Sequence, residues 1–119
     1  MILKSSFAAI LAVCTLATSA HSASAHKAGS AVTGLAAMHD MRREKGRLCM
    51  TDHFHHGSSA GQPSKAAAMK DAVASWSGFT ALEYGNEWAS FNKAGSKKAT
   101  CAQSTSGSWG CEIEARPCR

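Results

Sequence analysis

His53 and His55 stand two residues apart in the run Leu48–His56, and Glu112 and Glu114 stand two apart in the run Trp109–Cys118. Imidazole nitrogens and carboxylate oxygens are ligands for zinc and copper. Side chains at i and i+2 of a strand share a face, so two such pairs on neighbouring strands would converge as four donors. One reading of these residues is therefore a copper or zinc site made of His53, His55, Glu112 and Glu114. The plainer reading is that cross-strand His–Glu pairs decorate a solvated sheet face, each contributing about 0.2–1 kcal/mol. His26 offers a second copper ligand set. Cleavage after Ala25 would leave its α-amine and imidazole as one chelate, which His53 or His55 could complete.

Bringing those donors together requires the two runs to pair, and the cysteines bear on how they do so. Of the five cysteines, Cys14 lies in an apolar leader, which leaves Cys49, Cys101, Cys111 and Cys118. Their spacing offers no C-x-x-C pair of the kind that thiolate zinc sites use. An even number of cysteines in an exported chain points instead to two disulfides, with three pairings open. Facing parity separates them. Cys49 shares a face with Thr51, His53 and His55, and Cys118 shares one with Glu112, Glu114 and Arg116, whereas Cys111 shares the opposite face with Ile113 and Ala115. The expectation is Cys49–Cys118 on the open side and Cys101–Cys111 across a hairpin. With Cys49 opposite Cys118 in an antiparallel pair, His53 meets Glu114 and His55 meets Glu112.

The elements that would position these residues follow from composition and periodicity. Residues 1–25 read as a signal peptide: Lys4, an apolar run from Phe7, and the small-x-small Ala23-Ser24-Ala25. Residues 26–47 read as a flexible or partly helical arm, in which Leu35, Met38 and Met41 recur at helical spacing and Gly46 could end the turn. Residues 48–119 read as the folded domain. Leu48–His56 is its first strand, and Gly57–Pro63 is a loop by composition. Ser64 caps a helix whose stripe is Ala66, Met69, Val73 and Trp76; it continues through Phe79 and Leu82 to a Gly85 cap. Asn86–Ala94, with Trp88 and Phe91 three apart, extends it as a short second helix or a tail. Ala99–Gln103 and Trp109–Ala115 flank a Ser/Thr/Gly cluster, the mark of a hairpin.

The resulting fold class is α+β in the order β-α-β-β. It is a small three-stranded, mainly antiparallel sheet with the last strand in the middle, one long helix packed on one face, and two disulfides. A chain of 119 residues with a net charge of +5 has room for one small domain and carries only a weak attraction to anionic surfaces. The sole basic cluster, Arg42–Arg47, reads as a solvated helix end, so no nucleic acid is expected. No nucleophile has a convincing base. Gly57-Ser58-Ser59-Ala60-Gly61 matches G-x-S-x-G only in letters, without a hydrolase sheet behind it.

The segments DHFHHGSSAG, WSGFT, EYGNEWASFNKA, the WGC at 109–111 and the closing ARPC at 115–118 resemble a group of small exported cysteine-containing proteins of alpha-proteobacteria. The likeness spans Leu48 to Arg119. It implies an exported, disulfide-bearing domain and supplies no catalytic residue. The leading expectation is a non-catalytic binding or envelope-interaction module, periplasmic or secreted, with a protein or envelope component as partner and no transmembrane span after signal cleavage. The alternative is copper or zinc binding through the His/Glu cluster.

Overall fold

A computed structural model of the protein describes residues 31–119; the expected leader and His26 lie outside the described residues. The chain opens with a 3₁₀ turn, Gly34–Met38, and a two-stranded hairpin, β1 (Met41–Glu44) and β2 (Arg47–Met50). It continues through β3 (His55–Gln62), α1 (Lys65–Tyr84), β4 (Gly95–Gln103) and β5 (Trp109–Arg116). The sheet order is β3-β5-β4, with β5 antiparallel to both neighbours. This is the expected α+β architecture with the last strand in the middle. Cys49–Cys118 and Cys101–Cys111 are both formed. Disulfides of this kind belong to an oxidising compartment. No helix of the described residues is long and apolar enough to cross a membrane.

Several local expectations are corrected. Met41 does not continue a helix: Lys45 and Gly46 both take positive φ, 48° and 81°, the geometry of a tight hairpin turn that pairs Glu44 with Arg47. Residues 57–62 are strand rather than loop. Gly57 is there for proximity, since a Cβ on it would stand 2.3 Å from the Ala72 carbonyl oxygen and 2.7 Å from Trp76 Cβ. Residues 86–94 form turns rather than helix, closed by Trp88 N–H to Gly85 O and Ala94 N–H to Phe91 O. This path drops Trp88 into a small cluster with Ala36 and Met50, away from the main core.

Helix α1 begins where Ser64 Oγ accepts from Ala67 N–H at 3.1 Å and ends at Gly85, whose φ of 92° releases the chain. Its buried stripe is Ala68, Ala72, Trp76 and Thr80, four apart, rather than Ala66, Met69, Val73 and Trp76; Phe79 and Leu82 face solvent. Small residues on that stripe let the helix backbone settle against β3 at Gly57. Trp76 fills the remaining space, packing with Ile113 and Ala115. Its indole N–H lies 3.0 Å from His55 O and 3.3 Å from Ala115 O, so its one buried donor is satisfied.

The run Leu48–His56 is not one strand. Its first part, β2, pairs with the chain's end through reciprocal Leu48–Arg119 bonds and Met50 N–H to Pro117 O. The second part, β3, pairs with β5. Between them the backbone is claimed by other partners. The Arg116 guanidinium donates to Met50 O, and Thr51 donates both its N–H and its hydroxyl to Asp40 O. The pairing therefore advances by three residues between Cys49↔Cys118 and His55↔Ala115. An odd shift exchanges the faces of the strand. His55 turns to the helix side, and His56 faces solvent opposite Glu114.

Arg116 is itself buried at 3 % exposure, with Nη2 at 2.7 and 2.9 Å from the two Glu44 carboxylate oxygens and Nε at 3.2 Å from Ser96 Oγ. Hydrogen bonds from Arg42 and then Arg116 hold the Glu44 carboxyl below its usual range. Glu44→Ala strands the guanidinium and is expected to cost on the order of 3 kcal/mol in chemical denaturation. Gly57→Ala forces α1 away from β3 and is expected to cost about 1–3 kcal/mol. Gly78→Ala, inside the same helix with nothing within 4 Å of the new methyl, should instead stabilise by about 0.5–1 kcal/mol.

Candidate metal centre

The last turn of α1 brings Thr80, Glu83 and Tyr84 to one side of the helix, since positions three and four apart are neighbours. Opposite them lie His55, the first residue of β3, and His53, in the connection from β2. Thr80 Oγ1 donates to Trp76 O at 2.8 Å, which uses its only proton. The same oxygen lies 3.2 Å from His55 Nδ1, so Nδ1 carries the hydrogen and donates. That assignment leaves the Nε2 lone pair of neutral His55 facing Glu83 Oε2 at 2.7 Å. A lone pair and a carboxylate oxygen at that separation need a cation between them, and a proton is the smallest one that serves.

His53 completes the group. One donor atom each from His53, His55 and Glu83 lie within 4.8 Å of one another. His53 Nε2 is 2.8 Å from the Tyr84 hydroxyl, which is in turn 3.1 Å from His39 Nε2. The His39 and His53 rings stand 4.2 Å apart between centroids. His55 is buried, His53 half-buried, and Glu83 is open to solvent on one side at 37 %. Burial pushes both His53 and His55 below the usual imidazole value; for His53 the nearby His39 adds to this, and for His55 the carboxylate of Glu83 works against it. Burial and the charge of Glu83 push the Tyr84 phenol up to about 12. Burial thus favours the neutral imidazole that metal ligation requires of histidine, against the proton that the Glu83 carboxylate draws to His55.

Of the four residues first read as a site, the structure brings together His53 and His55 and sets Glu112 and Glu114 elsewhere. Glu114 pairs with Lys98 at 3.0 Å and approaches His56 at 3.9 Å, while Glu112 lies between Ser58 and Thr100 on the open face. The expected His53–Glu114 and His55–Glu112 pairs are absent because the three-residue advance puts His55 on the other face. Glu83 takes the place of the two strand glutamates. It was visible in the sequence only as one of three polar residues, with Thr80 and Tyr84, closing the helix just before Gly85. His39 carried no periodic signal at all.

The depressed values of His53 and His55 have a measurable consequence. Between the unfolded value of about 6.5 and the depressed folded values, the unfolded chain binds more protons than the folded one, so stability rises with pH across that interval. In metal-free buffer, stability is expected to be full above about pH 6.5 and to fall as pH drops through the folded values. Urea denaturation at a series of pH values checks this, and a His53→Gln/His55→Gln variant should show a flatter profile. Comparison with known protein families, characterised proteins and solved structures finds no match, so what the protein does is to be sought in the arrangement of His53, His55 and Glu83.

Proposed function

We propose that the protein binds one divalent transition-metal ion, zinc or copper, through His53, His55 and Glu83, and does so after export to the periplasm or the cell exterior. The observation that carries this reading is the His55–Glu83 pair. Thr80 fixes the imidazole tautomer so that Nε2 and the carboxylate point at one spot. A hydrogen bond to the second ring nitrogen is the usual means by which proteins orient a metal-bound histidine. Two imidazoles and one carboxylate are a common donor set for zinc, and copper(II) would bind the same set more tightly.

Binding would exchange a proton for the ion. Tetrahedral bonds of about 2.0–2.1 Å set neighbouring ligand atoms about 3.3 Å apart, so the 2.7 Å His55–Glu83 gap must widen a little while His53 closes in. Glu83 can accommodate that movement, being at the end of a helix with one side in water. A module that binds a protein or envelope component is the second reading. It draws support from the exposed Leu35, Met38, Phe79 and Leu82 and needs no metal.

Native mass spectrometry of protein purified without a histidine tag separates the two. One zinc or copper ion per chain is expected, lost in Glu83→Ala and in His55→Ala but kept in Glu112→Gln/Glu114→Gln. Uptake that ignores Glu83→Ala, or no uptake at all, would sink the proposal in favour of the interaction module. Thr80→Val keeps shape and all three ligands but removes the orienting acceptor, and should weaken affinity by about 10–100-fold. Metal at a hundredfold excess over its dissociation constant should stabilise the wild type by about 2.7 kcal/mol.

A further inference from the structure

Three protein donors leave a bound zinc or copper ion short of four ligands. Two further groups of the cluster are occupied otherwise. His39 Nε2 is engaged with the Tyr84 hydroxyl, and that hydroxyl is shared with His53. All three donors also line a single cleft of about 320 Å³, whose other walls are Phe54, His56 and Phe79. Phe79 is 57 % and Phe54 36 % exposed, so two aromatic faces stand open to water beside the donors.

Resting on the metal reading above, we propose that the ion keeps an exchangeable coordination position open to this cleft and takes there a small carboxylate with an apolar body. The charge argument is direct. A divalent ion held by two neutral imidazoles and one carboxylate retains one positive charge, which favours an anion as the fourth ligand. Lys98 Nζ, 6.0 Å from the Phe54 ring centroid, adds a further cation at the rim, although Glu114 shares it. The aromatic walls then act on the rest of the ligand, since Phe54 and Phe79 lie beside the position the anion would occupy and lose water when an apolar group covers them. The cleft's volume is at the small end for ligand sites, which suits a molecule of benzoate size.

Cobalt(II) in place of zinc makes the coordination position visible, because its absorption bands report ligand number and exchange. Cobalt uptake followed by a saturable band shift on adding benzoate is expected, with acetate binding about three- to tenfold more weakly for want of the ring contact. Phe79→Ala, at an exposed position, should retain cobalt and lose the preference for benzoate. Bands that stay unchanged in both carboxylates at millimolar concentration would mean a closed centre and overturn this inference alone. Equal affinity for the two carboxylates, unaffected by Phe79→Ala, would overturn the part played by the apolar walls. Failure to take up cobalt, zinc or copper would overturn the inference together with the metal reading beneath it.

Discussion

The buried guanidinium of Arg116 is the joint on which the rest of the arrangement depends. It takes hold of three separate segments at once: the Glu44 carboxylate at the end of β1, the Met50 carbonyl at the end of β2, and the Ser96 hydroxyl at the start of β4. A charge taken out of water at such a seam has to be matched by its neighbours, so the position of each segment becomes tightly specified. Cys49–Cys118 holds the same seam covalently. With the Met50 carbonyl committed to Arg116, the β2 backbone cannot run on as a ladder into β3. The connection Thr51–Phe54 absorbs the mismatch, and that is where His53 is carried.

A second constraint comes from the other side of β3. The helix approaches so closely at Gly57 that only small residues, Ala68, Ala72 and Thr80, fit its inward stripe, with Trp76 alone supplying bulk. A core this thin is characteristic of a small domain that relies on cross-links. The large side chain on that stripe is also polar at one edge, and the Trp76 indole donates its N–H to the backbone of His55 and Ala115. The carbonyl of the same Trp76 accepts from Thr80, and Thr80 accepts from the His55 ring. The packing of the core and the tautomer of a candidate ligand are therefore set by one continuous chain of hydrogen bonds.

The cluster at the helix end combines opposite tendencies. Burial drives His53 and His55 toward neutrality, while Glu83 draws a positive charge toward His55. A proton satisfies the second demand at the expense of the first. A metal ion meets both, because it binds imidazoles in their neutral form and supplies the charge itself. Under the reading proposed here, the aromatic rings left in water at Phe54 and Phe79 would stand beside an ion that is coordinatively incomplete.

Much of the frame was legible in the amino-acid order. Facing parity along Trp109–Cys118 paired Cys49 with Cys118 and Cys101 with Cys111, although Cys49 and Cys118 are buried rather than on an open side, and Ser64 and Gly85 marked both ends of the helix, because strand alternation and helix capping are local rules. The same parity, carried past Thr51, put His55 on the wrong face. Alternation holds only while the ladder is unbroken, and nothing between Thr51 and Phe54 announces that Arg116, more than sixty residues away, interrupts it. Glu83 was hidden for a related reason: its meeting with His53 and His55 depends on how far α1 slides along β3, which the contact at Gly57 decides. Short-range periodicity was enough for the long helix, the C-terminal hairpin, the cysteine frame and two of the three candidate ligands, though not for the N-terminal hairpin or the break at Thr51–Phe54. Which face His55 occupies, and which carboxylate it meets, was decided only by tertiary packing, where a single odd shift in register exchanges the inside of a strand for its outside.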